Sequence, residues 1–360
     1  MNILDDIEKF KKLDPSGTLD SIQAFPKQLE HAWKQSQKII PPAEFKKAKN
    51  VIVTGMGGSA LGGRITKSLF ENEIKIPFFI NTEYQLPGFV NSETLVIVAS
   101  YSGNTEETLS SFNHAKKAKA MIFGITTNGK LGEEIKAGLP GFIFQPKYNF
   151  LGYPKTGIGY SLGTLLSVLS KMELINLTSK QFFQGLNEFK KIQKNFLAET
   201  PFRQNSAKKK ALYLQGKIGV FVASEHLKGA AWAARNQINE NAHSHALLFD
   251  LPEMNHHLVE AFTNPIKAKP LLAYLFLSSP DYFSRLNAHY QVSQQILKKI
   301  KSPNQQYQTK CQDKLAQAFE IIQLGGFISF YLSVLNNQDP GPEPWIIYLK
   351  KHLAAYEKKD

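Results

Sequence analysis

Val51-Ile52-Val53 runs directly into Thr54-Gly55-Met56-Gly57-Gly58-Ser59-Ala60-Leu61-Gly62-Gly63, and apolar residues then continue at helical spacing to Phe70. A short apolar run that breaks into glycines and resumes as a helix is a buried strand of a parallel sheet, a tight turn and its crossover helix. The pattern returns at Ile218-Gly219-Val220-Phe221-Val222, followed by small residues and a helix from Lys228 to Ala242. Strands are predicted at Ile76–Ile80, Leu95–Ala99, Met121–Ile125 and Phe142–Phe144, with a helix over Thr105–Lys119. Further strands are expected at Ala246–Phe249 and Leu271–Leu277, and helices over 157–175, 180–199, 281–300, 312–335 and 344–358. The predicted class is therefore α/β: two tandem αβα sandwiches with parallel sheets, preceded by an N-terminal helical extension. The expected division is 1–45 for a peripheral extension closed by Pro41-Pro42, 46–200 for the first sandwich with its linking helices, and 201–360 for the second.

Composition narrows the class. Of 360 residues, 42% are hydrophobic and 20% charged, which permits a sizeable core and excludes wholesale disorder. The single cysteine, Cys311, excludes an intramolecular disulfide and any cysteine-cluster metal site, and it fits a reducing, cytoplasmic compartment. The start Met1-Asn2-Ile3-Leu4-Asp5-Asp6 lacks a basic n-region, so no secretory signal is expected. Apolar runs such as Leu271–Leu277 are too short to span a bilayer, so no membrane partner is expected. Lys and Arg number 43 against 30 Asp and Glu, a net charge of +13 that favours anionic partners. Only Arg64, Arg203, Arg235 and Arg285 are arginines. Base reading and bidentate phosphate clamps favour arginine over lysine. Nucleic acid is therefore not the expected partner, and the scattered lysines read as solvated helix faces.

The glycine-rich turn opens a helix, where free backbone N–H groups face any anion. Gly55-x-Gly57-x-x-Ala60 fits a dinucleotide fingerprint, but the ribose-binding acid expected about 20 residues further on is displaced. The second strand ends at Ile80-Asn81, with Glu83 beyond it. A P-loop would need Gly-Lys-Ser/Thr, which does not follow. The third reading is a turn, Gly57, Gly58 and Ser59, built for a monophosphate. A second loop favours it: Ser100-Tyr101-Ser102-Gly103-Asn104-Thr105-Glu106-Glu107-Thr108 follows a strand and opens the next helix. Thr105 or Asn104 can cap that helix, yet capping needs one hydroxyl, and here four surround one glycine. Ser59, Ser100, Ser102 and Thr105 are the candidate phosphate ligands, converging at strand C-termini.

Glu240 stands near the end of the Lys228–Ala242 helix, between Asn239 and Asn241. By itself it reads as a solvated helix-end carboxylate. In a phosphosugar site, one carboxylate can move a proton between adjacent carbons through a cis-enediol, and a histidine can carry the proton of ring opening. His243, His245, His256 and His257 also offer imidazoles to a metal. His243-Ser244-His245 does not match the H-E-x-x-H spacing, however, and neither metal nor cofactor is expected.

The loops Gly55-Met56-Gly57-Gly58-Ser59 and Ser100–Thr108 resemble the phosphosugar-binding loops of the sugar isomerase (SIS) domain. Asn239-Glu240-Asn241 followed by Pro252-Glu253-Met254-Asn255-His256 resembles the N-E-N and P-E-L-N-H motifs of the bifunctional phosphoglucose/phosphomannose isomerase family, and the likeness extends over about residues 50–350. The resemblance implies interconversion of glucose 6-phosphate and fructose 6-phosphate, with mannose 6-phosphate a further candidate. It implies Glu240 as the proton shuttle and His256 as the ring-opening group acting in the neighbouring subunit of a homodimer. Where the family carries Pro-Arg beside the enediolate, this chain has Pro154-Lys155. Where the family reads Asp-Pro-Thr, it has Asp339-Pro340-Gly341, with Lys350 matching the active-site lysine of the last helix. His257 replaces an asparagine. Lysine keeps the charge of arginine without its planar fork, and the lost threonine hydroxyl bears on the mannose epimer first. Two other readings are a non-catalytic sugar-phosphate-binding regulator and a different sugar-phosphate enzyme on the same fold.

Overall fold

A computed structural model describes residues 2–353 and 356 of the chain. The first sheet contains β1 (Asn50–Thr54), β2 (Phe78–Asn81), β3 (Thr94–Ser100), β4 (Met121–Thr126) and β5 (Gly141–Ile143), all parallel, in the order β2-β1-β3-β4-β5. The second contains β6 (Ile218–Ala223), β7 (Ala246–Asp250), β8 (Leu272–Ser278) and β9 (Asn304–Gln308), also parallel, in the order β7-β6-β8-β9. Strand order reverses between β1 and β3 in one sheet and between β6 and β8 in the other. Crevices for ligands form at such switch points, outside the strand C-termini. The α/β class and the two tandem parallel sheets agree with the sequence reading.

Two elements depart from it. β9 reads Asn-Gln-Gln-Tyr-Gln and buries only Tyr307 fully, because it is an edge strand with one neighbour. The first helices are not peripheral. Phe10, Trp33 and Leu29 are fully buried in the main core, and Trp33 stacks on Phe182 at a centroid distance of 4.1 Å. An apolar stripe on Phe25–Ser36 explains this, since that helix must bury one face. Helix Lys314–Leu335 is apolar on every side. Contrary to expectation, it is long and apolar enough to cross a membrane, yet 94% of it is buried inside the protein. A helix that is apolar all round and enclosed by helices and strands is the core of a large domain.

The last described helix, Pro344–Leu353, differs from all this. It buries no residue, and Trp345, Ile347, Tyr348, Leu349 and Leu353 are exposed. Most of its expected continuation to Lys358 lies outside the described residues.

Candidate active site

The two hydroxyl loops flank the switch point of the first sheet. Ser59 sits in the first turn of helix Gly58–Phe70 and accepts a hydrogen bond from the Tyr101 N–H at 3.0 Å, which ties one loop to the other. Ser100 and Thr105 share a hydrogen bond of 2.9 Å, and Ser100 accepts from the Gly103 N–H at 3.1 Å. Gly103 has φ +71°, and a Cβ there would stand 1.8 Å from the Asn128 carbonyl oxygen; only glycine permits this turn. Thr105 occupies the N-cap position of helix Glu106–Lys117 without capping it through its side chain. Its hydroxyl turns toward Ser100 instead, so capping does not account for it. Gly58, Ser59, Ser100, Tyr101, Pro154, Gly157 and Ser161 line a narrow cavity here. Gly57 (φ +49°) and Ser102 lie at its outer edge, both exposed.

Pro154 belongs to this wall, and the next residue leads to the second sandwich. Lys155 is almost wholly buried. Its ammonium donates to the carbonyl oxygens of Pro340 and Gly341, each at 2.9 Å, and approaches the Glu240 carbonyl oxygen at 3.4 Å and Glu343 Oε1 at 3.5 Å. From the other side, His243 receives the Gln338 side-chain amide and bonds the Pro342 carbonyl oxygen at 3.1 Å. Residues 338–343 are thus clipped over the end of helix Lys228–Asn241, where Glu240 stands. At Gly341 a Cβ would meet Ser16 Oγ, so a side chain there requires the exposed Ser16 hydroxyl to turn away. The threonine expected at this position from the resemblance is replaced by this glycine.

Glu240 keeps one edge open to a cleft of about 520 Å³ lined by Asn239, His243, Ser244, His245, Glu343 and Trp345, among others. Among the described residues, no side chain hydrogen-bonds its carboxylate. Burial, reinforced by the Glu343 carboxylate, pushes its pKa to about 7, while Lys155 and Arg235 pull it down less strongly. The Lys155 pKa is lowered by burial against the opposing pull of Glu343 and Glu240. A carboxylate desolvated to near neutrality and left without donors is a general base at working pH.

Other predicted groups lie elsewhere. His256 is exposed on the short helix Met254–His257 and does not line the Glu240 cleft; Asn255 pins that helix to His289 at 3.1 Å and Ser293 at 2.9 Å. Lys350 is exposed on the last helix, beyond Pro344, Trp345 and Ile346, which line the cleft. Among the described residues no three His, Cys, Asp or Glu side chains gather as metal ligands. Sequence reasoning missed Glu343, and it missed Gln28. The fully buried Gln28 amide donates to the carbonyl oxygens of Ser21, Tyr148 and Thr156 and accepts from the Gly159 N–H, holding the segment that bears Lys155. A glutamine flanked by apolar residues on an amphipathic helix was the available signal.

Comparison with known proteins is consistent with this geometry. Residues 44–131 match the SIS domain, and residues 203–353 match the bacterial phospho-glucose isomerase C-terminal SIS domain. The chain is 32% identical over 336 residues to the bifunctional phosphoglucose/phosphomannose isomerase of Caldicellulosiruptor bescii, covering 93% of this chain and 98% of that one. It is 28% identical to the enzyme of the same name from Aquifex aeolicus, over 93% and 98% of the two chains. Among solved structures, a hypothetical protein from Thermus thermophilus superposes with a TM-score of 0.75 at 17% identity, over 98% of this chain and 94% of that one.

Proposed function

The chain belongs to the bifunctional phosphoglucose/phosphomannose isomerase family, and from that premise we propose that it interconverts glucose 6-phosphate and fructose 6-phosphate, with mannose 6-phosphate as a further substrate. The observation that carries this reading is Glu240: a carboxylate without donors, titrating near 7, one residue's reach from the hydroxyl loops through Pro154-Lys155. The loops hold the phosphate with Ser59, Ser100, Ser102, Thr105 and the backbone N–H groups of Gly57 and Gly58. Glu240 takes the proton from C2 of the open aldose. The C–H electron pair forms the C1–C2 double bond, the carbonyl pair moves onto the C1 oxygen, and that oxygen takes over the proton of the neighbouring C2 hydroxyl, which leaves the enediolate charge on the C2 oxygen. Glu240 then returns the proton to C1 as the C2 oxygen becomes the ketone. Lys155, held beneath by two carbonyls, supplies the positive potential that favours the enediolate. The mannose epimer is the poorer substrate, because Gly341 lacks the hydroxyl of the family's threonine at this position.

The active unit is a cytoplasmic homodimer in which His256 opens the sugar ring in the neighbouring subunit. Two observations support this. His256 is exposed and does not line its own Glu240 cleft, and helix Pro344–Leu353 presents exposed apolar side chains that none of the described residues covers. Seating that helix against a partner would bring Lys350 toward the chemistry. A non-catalytic sensor would leave the Glu240 cleft without a purpose.

The test is turnover of each of the three sugar phosphates by protein purified from a host lacking its own isomerase. Absence of fructose 6-phosphate turnover overturns the reading. Mixing inactive Glu240→Gln and His256→Ala homodimers, with exchange of subunits, should restore activity, because one site of each heterodimer then has both groups. No recovery despite exchange overturns the shared site.

A further inference from the structure

Nothing in the sequence sets Glu343 apart, yet its carboxylate faces the same ammonium that lies beneath Glu240. Lys155 has three protons. Two go to the carbonyl oxygens of Pro340 and Gly341 at 2.9 Å. What remains faces Glu343 Oε1 at 3.5 Å and the Glu240 main-chain oxygen at 3.4 Å. Among the described residues, no ion pair within 4.0 Å joins Lys155 to the Glu240 carboxylate. The Lys155 side chain is 1% exposed and that of Glu343 16% exposed, so Glu343 approaches the shared cation from the cleft side. Both carboxylates line the same cleft.

We propose that Glu343 is a positioning residue of the isomerase site: it occupies the side-chain face of the Lys155 ammonium, so that Glu240 stays a free base instead of closing an ion pair. The inference rests on Glu240 being the proton shuttle. Two carboxylates and one ammonium leave a negative charge uncompensated at the cleft, and a like charge disfavours ionisation of its neighbour. The other charged or titratable groups facing the pair are Arg235, which draws Glu240 toward the ionised form, Asp339 beside Lys155, and His243 and His245 along the cleft. His243 is engaged with Gln338 and Pro342. Arg235 reaches the pair only at a distance, with its guanidinium stacked on Trp232 at 4.9 Å. Without Glu343, Lys155 has one carboxylate to serve. Glu240 would then ionise at lower pH and become a weaker base.

The experiment is the pH dependence of kcat/KM for fructose 6-phosphate in wild type, Glu343→Gln and Glu343→Asp, with Glu240→Gln as the reference for loss of the base. The acid limb of Glu343→Gln should lie about one pH unit or more below that of wild type, with kcat on the plateau reduced several-fold. Glu343→Asp keeps the charge but withdraws it by one methylene, and its limb should fall between the two. A Glu343→Gln limb that coincides with the wild-type limb overturns the inference. If Glu343→Gln does not fold, an undisplaced Glu343→Asp limb overturns it equally. Wild-type turnover in Glu240→Gln would instead bring down the base assignment and leave Glu343 with nothing to position.

Discussion

The switch points of the two sheets are built alike and filled differently. In the first, β1 and β3 end in the turns Gly57–Ser59 and Ser100–Thr105, whose serine and threonine hydroxyls bond one another and the loop backbone, while the Tyr101 hydroxyl accepts from the Asn149 amide at 2.8 Å. In the second, β6 and β8 run into Ser224 and Ser279, whose polar groups are held by the rest of the protein, and a cavity of about 430 Å³ bordered by Glu225, His226, Leu251 and Phe283 lies beside them. The Ser224 N–H donates to the Tyr282 hydroxyl at 3.1 Å, and Ser224 Oγ donates to the Leu251 carbonyl oxygen. Ser279 donates to Gln317 Oε1, which also meets His226 Nε2 at 2.8 Å. Tyr282, Tyr290, His226 and Gln317 are all buried. Topology therefore places a crevice in each half, but in the second the strand-end serines are already engaged by buried side chains. The chemistry proposed for the second half lies at the other end of the corresponding helix, where Glu240 meets Lys155 arriving from the first half.

The sharpest way to break this division of labour is to show that the wrong half sets the wrong kinetic constant. Glu240→Gln should lower kcat by about 10²–10⁴-fold while binding of fructose 6-phosphate, read by calorimetry, stays within a few-fold of wild type. Ser100→Ala should act oppositely, raising KM by about tenfold, the equivalent of one charge-assisted hydrogen bond of about 1.4 kcal/mol, with kcat little changed. Ser224→Ala, at the second switch point, should leave both constants alone and cost about 1 kcal/mol in denaturant unfolding. A KM effect from Ser224→Ala equal to that of Ser100→Ala would mean that the second crevice is a ligand site after all.

How far these features can be read from sequence follows the same contrast. β1, β3, β4, β6 and β8 are legible because strands buried on both faces are continuous apolar runs. The two hydroxyl loops are legible because glycine and hydroxyls at a strand end leave few readings. β9 is not, since an edge strand needs only one buried side chain and Tyr307 gives no periodicity. Glu240 is legible as a residue, through its motif, but its environment is not. Its pKa is raised by burial and by the distant Glu343 and drawn down by Lys155, 85 positions away, while the Lys155 clip closes on Gly341 across 186 positions. The side chain that a Cβ at position 341 would meet is Ser16. No local pattern encodes contacts at that separation; they arise only when the N-terminal helices dock into the core, whereas local pattern alone places those helices at the periphery.

That docking supplies a further prediction. Gln28→Leu keeps the volume and apolar character of the helix face but removes the partner of the Thr156 carbonyl oxygen at 2.8 Å and the Gly159 N–H at 3.2 Å. Leaving buried backbone groups unsatisfied should cost about 2–3 kcal/mol, read as a lowered denaturant midpoint at unchanged m-value. Because the loosened segment bears Lys155, kcat should fall several-fold while the Ser100 loop keeps KM near wild type. An unchanged kcat would show that the N-terminal helices buttress the fold but not the clip.

The last effect is thermodynamic and follows from the raised carboxyl of Glu240. In the unfolded chain this group titrates near an ordinary glutamate, about 4.3; in the folded protein it does so near 7. Between those values the folded state binds more protons than the unfolded state, so stability falls as pH rises through that window. Below it both states are protonated and the term vanishes; above it the full cost of holding a charged carboxylate in the cleft is present. Because one edge of Glu240 meets solvent in the cleft, the cost is about 1–2 kcal/mol rather than the full equivalent of the shift. Glu240→Gln carries no such charge. Its stability relative to wild type should therefore increase by about that amount between pH 4.5 and pH 8, measured by urea unfolding at each pH. A difference that stays constant across the window would mean that the Glu240 carboxyl titrates normally, and that the near-neutral base on which the kinetic contrast between the two halves depends is absent.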